Sequence, residues 1–185
     1  MNDYLADVMT LLRDVAQENE YPDGEFYSCS VGRPMAPEEI PPGTPAPLSE
    51  LATAAANLIC GYSVEVRPLT DPGQYPVGSR LNEAAGIENG DDYRLIGLAR
   101  DNPLLFHVPD GSVWRVPFDG GLWYQECRVE KLAASIEDFI TYWIAGPMFP
   151  NLAGQEGDDL AANEWYRLLI LCDILDPHRS AHRSA

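Results

Sequence analysis

Tyr93-Arg94-Leu95-Ile96-Gly97-Leu98-Ala99, Leu104-Leu105-Phe106-His107-Val108 and Ser112-Val113-Trp114-Arg115-Val116 decide the fold. Each run is short, apolar and rich in β-branched or aromatic residues, which is strand chemistry. Pro109-Asp110-Gly111 joins the second run to the third: proline fixes φ, aspartate caps a turn, and glycine supplies positive φ. A connection of three or four residues cannot cross over a sheet, so neighbouring strands must run antiparallel. Trp123-Tyr124-Gln125-Glu126-Cys127-Arg128-Val129 reads as a weaker fourth strand of this block.

Working outward toward the C-terminus, Ser135 to Asp138 has a capping pattern with Asp in place of Glu. Ile136, Phe139, Ile140, Trp143 and Ile144 recur on one helical face, and Gly146-Pro147 ends that helix. A last helix is predicted from about Asp159 to Leu175, with Asp158 and Asp159 at the positive end of its dipole and Asp176-Pro177 as its stop.

Toward the N-terminus, Leu5, Val8, Met9, Leu12, Val15 and Ala16 predict a helix beginning near Asp3 and ending near Asn19. Phe26 to Cys29 is a candidate short strand. Residues 34–47 hold Pro34, Pro37, Pro41, Pro42, Pro45 and Pro47, which remove backbone donors and predict an extended, semi-rigid arm. The alanine-rich run from Leu48 to Cys60 predicts a helix capped by Ser49. Tyr62 to Arg67 alternates as a strand, and a loop follows through Asp71-Pro72-Gly73. The chain reads as one domain over 1–185.

At 185 residues and 45% apolar composition the chain can bury a core without metal or disulfide support. Twenty-nine Asp and Glu face twelve Lys and Arg, a formal charge of −17. That field repels phosphate backbones and anionic lipid heads, which argues against nucleic acid and membrane as partners and favours a cationic one. The N-terminal segment lacks the basic then apolar pattern of a secretory signal, and no apolar run is long enough to span a bilayer, so a cytoplasmic location is expected. Cys29, Cys60, Cys127 and Cys172 form no Cys-x-x-Cys pair. They read as free thiols, with a disulfide such as Cys60 to Cys172 as the alternative.

Searching for catalytic chemistry yields little. The adjacent acid pairs do not single out a glycosidase dyad, Asn89-Gly90-Asp91-Asp92 lacks calcium-loop spacing, and no nucleophile elbow or phosphate-binding glycine motif occurs. His107 lies within a strand between Phe106 and Val108, as a structural imidazole would; a small hydrolase built on it is the enzymatic alternative. His178 and His182 are spaced i, i+4 in the tail. No cofactor, metal or catalytic residue is expected.

The stretch from Tyr93 to Gly146 resembles the SUKH superfamily, the Smi/Knr-like proteins that include many bacterial immunity proteins. The resemblance rests on Leu95-Ile96-Gly97, Leu104 to Val108, Asp110 to Val116 and Leu132 to Ile140, taken in order. Ile136 replaces the usual Phe, and the proline-rich arm and the final helix look like additions. The resemblance implies an α+β fold with a central, mostly antiparallel sheet of about four to six strands flanked by helices. It also implies a non-enzymatic immunity protein that occludes a basic, nuclease-like toxin. A scaffold or regulatory module of the same fold is the competing reading. Glu88, Asp91, Asp92, Asp101, Asp110 and Asp119, all at expected turns around the sheet, are the candidate acidic contacts, with Trp123 and Tyr124 as aromatic anchors.

Overall fold

The computed structural model describes residues 3–18, 28–70, 77–118 and 121–176. Their frame is an antiparallel sheet of seven strands whose spatial order follows the chain. The strands are β1 (Cys29–Val31), β2 (Leu58–Cys60), β3 (Val64–Val66), β4 (Tyr93–Ala99), β5 (Asn102–His107), β6 (Val113–Arg115) and β7 (Glu130–Ala133). With helices packed on it, the architecture is α+β, as expected, but it has seven strands rather than four to six. The extra count comes from strands of three or four residues, too short to show alternation.

Two of these strands correct specific expectations. Leu58–Cys60 is a strand, so the alanine-rich helix stops at Ala54. The segment from Trp123 to Val129 is not a strand; Glu130–Ala133 takes the position beside β6 instead. Glu-Lys-Leu-Ala carries no β signature, and pairing with β6 decides its conformation. Phe26 and Tyr27 lie outside the described residues, and the first observed strand begins at Cys29.

The helices are α1 (Asp3–Glu18), α2 (Ala46–Ala54), α3 (Val77–Ala85), α4 (Ile136–Asp138), α5 (Phe149–Ala153), α6 (Gly157–Ala162) and α7 (Glu164–Leu171). Ser135 caps α4 as expected, its Oγ accepting from Asp138 N at 3.0 Å, and the chain then continues in π-helical turns over Phe139–Ile144. Pro45, not Ser49, stands at the N-cap of α2, and proline in the first turn suits its missing donor. The long last helix expected from Asp159 to Leu175 is two helices. Asn163 is extended at ψ 119° and caps α7 by accepting from Tyr166 N at 3.0 Å. Helix α3 was not legible, since its apolar face consists only of Val77, Leu81 and Ala84.

The proline-rich arm follows a defined path with no buried proline. Pro37–Glu39 forms a 3-10 turn, Met35 N donates to Ala52 O at 3.1 Å and Ala56 N to Arg33 O at 3.0 Å. The Glu39 carboxylate accepts from Ala36 N at 2.8 Å and pairs with Arg33, which holds it down at about 2.

Strand alternation divides the core. Leu58, Cys60, Val64, Val66, Ile96, Leu104, Phe106 and Val113 face one side, where Met9, Leu12, Leu51, Phe139, Phe149 and Trp165 close over them from the helices. Leu105 points the other way and joins Val116 with Val77 and Leu81 of α3 in a smaller cluster. Both faces of β5 are therefore covered, which is why its sequence is apolar without alternation. A bulge between Leu95 and Gly97 leaves Ile96 unpaired with β5 and turns it into the main core. Gly97 is required there: a Cβ would collide with the carbonyl of Glu65 on β3.

Candidate functional site

The smaller cluster and the turns around it hold most of the expected site residues. Tyr93, Leu95, Trp114, Trp123, Cys127 and Val129 pack partly buried against the cluster of Val77, Leu81, Leu105 and Val116. Glu88 stands exposed in the turn after α3, and Asp91 and Asp92 lie in a 3-10 turn, Gly90–Asp92, leading into β4. Val108 N donates to Asp92 O at 2.9 Å, bringing that turn to the same end of the sheet as Asp110.

Asp101 is not part of this group. It forms, with Arg100, the β4–β5 turn, where φ is 66° and 50°, at the opposite end of the hairpin. The length of β4 separates it from Asp92 by about 20 Å. Asp119 lies outside the described residues.

Asp110 is engaged within its own hairpin. One carboxylate oxygen accepts from Ser112 N at 3.0 Å and Ser112 Oγ at 2.5 Å, and lies 2.7 Å from His107 Nδ1. Lys131 Nζ reaches the other oxygen at 3.4 Å. The Ser112 hydroxyl, then His107 and the Ser112 amide, hold this carboxyl well below the usual aspartate range. Trp114 Nε1 donates to Ser112 Oγ at 2.7 Å, and the Tyr93 ring lies 4.7 Å from the His107 ring and edge-on to Trp114 at 6.0 Å. Burial, then the charges of Asp110 and Asp92, push the Tyr93 phenol up.

These groups do not have the order of a nucleophile relay. Such a relay places the imidazole between hydroxyl and carboxylate, whereas here the hydroxyl and the imidazole both converge on Asp110. Ser112 is also fully buried. Among the described residues, no group of three or more His, Cys, Asp or Glu is placed to hold a metal ion. His178 and His182 lie outside the described residues.

Trp123 is half-buried, fixed by the smaller cluster, and Tyr124 beside it is exposed, their rings 6.0 Å apart and near perpendicular. The Arg80 guanidinium of α3 lies 5.5 Å from the Tyr124 ring centre, and that of Arg100 lies 4.2 Å from the Phe118 ring centre. Gly121, Leu122, Gln125, Glu126, Cys127 and Arg128 line an open depression of about 610 Å³ next to them. Comparison with protein-family models, curated proteins and solved structures finds no match to this chain.

Phe118 and Leu122, both more than half exposed, are further candidates that the sequence reading does not name. Their signal was present: two large apolar residues flank Gly120-Gly121, outside any strand period.

None of the four cysteines is in a disulfide. Cys60 stands opposite Cys29 across the β1–β2 pair, so its neighbour in the sheet is Cys29. Burial pushes the Cys29 thiol up to about 12, and burial, then Cys29 and Glu65, push Cys60 up as well.

Proposed function

We propose that this chain is a non-enzymatic immunity protein of the SUKH type, which binds a basic toxin and covers its working surface. The observation that carries this reading is the solvent-facing end of the second sheet face. There, exposed Leu122 and Tyr124 flank Trp123, and Glu88, Asp91 and Asp92 stand in the turns between α3 and β4. Apolar side chains ringed by polar groups are the makeup of a protein interface. The order of β4, the β5–β6 hairpin and the Ser135-capped helix also agrees with the motifs on which the resemblance rests.

The physical logic is electrostatic. A protein of charge −17 is drawn to the positive groove of a nuclease from a distance and competes there with nucleic acid. Occlusion needs no reacting group, so the work is done in the cytoplasm by surface complementarity alone. No described helix is long and apolar enough to cross a membrane.

The test is co-expression with the product of the adjacent gene, read as growth rescue and as a complex on size exclusion. Rescue with complex formation supports the reading. A complex without any toxicity to suppress identifies a scaffold or regulatory module instead, and absence of both overturns binding to that product.

A further inference from the structure

The interface just proposed contains two kinds of surface, and the structure separates them. Leu122 and Tyr124 are 51% and 41% exposed at the depression. Apolar exposure at that density is uncommon on a surface otherwise dominated by carboxylates, and it marks a contact centre. Glu88 and Asp91 lie apart from it, at the end of α3 and in the turn before β4.

We propose, resting on the reading above, that the depression beside Trp123 and Tyr124 anchors an uncharged, apolar side chain of a basic partner protein, while Glu88 and Asp91 steer that partner in without anchoring it. Three observations carry the division.

Among the described residues, the lining of the depression carries one acid, Glu126, and one base, Arg128, and Leu122 and Cys127 supply the apolar wall. A cation entering there would meet as much repulsion as attraction, whereas an aliphatic or aromatic side chain gains burial against Leu122 and Cys127.

The exposed rings already have cations. Arg80 stands over Tyr124 and Arg100 over Phe118, so these faces do not await a lysine or arginine from outside.

The wall is also held in place. Trp123 is packed into the smaller cluster, and Cys127 N donates to Ala84 O on α3 at 2.9 Å. A pocket fixed in advance loses little entropy when filled, which is the property of an anchor site. The charge of −17 disfavours a second copy, nucleic acid and anionic lipid and favours a basic protein as the occupant.

The experiment uses the full chain and a catalytically disabled form of the toxin from the adjacent gene, with association and dissociation rates measured at low and high salt. Leu122→Asp and Tyr124→Ala should speed dissociation tenfold or more at both salts. Leu122→Asp is the sharper variant, because its added negative charge favours steering and can only harm anchoring. Glu88→Lys with Asp91→Lys should slow association several-fold at low salt, little at high salt, and leave dissociation unchanged. Alkylation of Cys127 by N-ethylmaleimide should slow several-fold in the complex. All four side chains substituted are at the surface, and an unchanged thermal midpoint checks that each variant is folded. A wild-type complex that Leu122→Asp and Tyr124→Ala leave intact overturns the anchor and spares the immunity reading. A wild-type chain that neither binds nor rescues overturns both.

Discussion

His107 Nδ1 and Asp110 Oδ1 stand 2.7 Å apart across the β5–β6 turn, and the same oxygen accepts both the amide and the hydroxyl of Ser112. One carboxylate thus closes the hairpin, orients the imidazole and, through Ser112, fixes the indole of Trp114. A partner that recruited Asp110 would have to break bonds the fold already uses.

That arrangement predicts an acid limb. The Asp110 carboxyl is depressed in the folded state, so its contribution is present above the ordinary aspartate range and is lost as pH falls through the lower folded value. Thermal midpoints followed from about pH 6 down to pH 2 should fall less steeply in Asp110→Asn than in the native chain, and the variant should start lower. Equal slopes would show that the carboxylate does not stabilise the turn.

The two sheet thiols should be silent. With Cys29 held at about 12, only about one molecule in ten thousand carries that thiolate at pH 8. Ellman's reagent should modify Cys29 and Cys60 at the rate of unfolding and not before. Because both folded values are raised, the stability they confer is present below the ordinary thiol range and declines as pH rises above it, about 8.5 to 9. Fast native-state modification of either would contradict the burial.

Phe106 is 1% exposed near the C-terminal end of β5. Phe106→Ala should cost about 3–5 kcal/mol in urea unfolding, the range for emptying an aromatic site in a closed core. Tyr62, 80% exposed in the β2–β3 turn, serves as the contrast, with Tyr62→Ala expected within about 0.5 kcal/mol of the native chain.

Gly97→Ala should destabilise by about 1–3 kcal/mol, because the added carbon meets the Glu65 carbonyl and must push β3 from β4. Amide exchange should speed at Arg67 N, which donates to Ile96 O across that seam. Protection unchanged at Arg67 would mean the strands relax without separating.

The candidate acidic residues show how far sequence reaches. Glu88, Asp91, Asp92 and Asp101 all fall in or beside turns, as their composition implies, yet hairpin direction puts Asp101 at the far end of β4. Position along a chain gives the turn; only strand pairing tells which end of the sheet it occupies. Trp123 illustrates the same limit, since Val77, Leu81 and Leu105 of the cluster it packs on are distant in sequence.

Local pattern alone determined the three central strands, the Pro109-Asp110-Gly111 turn, the Ser135 cap and the amphipathic α1. In each, the stabilising partners lie within a few residues or repeat with the element's own period. Tertiary structure decided β2, β7, the break at Asn163 and the helix α3, where short segments take their form from what they pack against. It also created the depression beside Trp123, because a concave surface depends on which distant elements meet, and no local rule encodes that meeting.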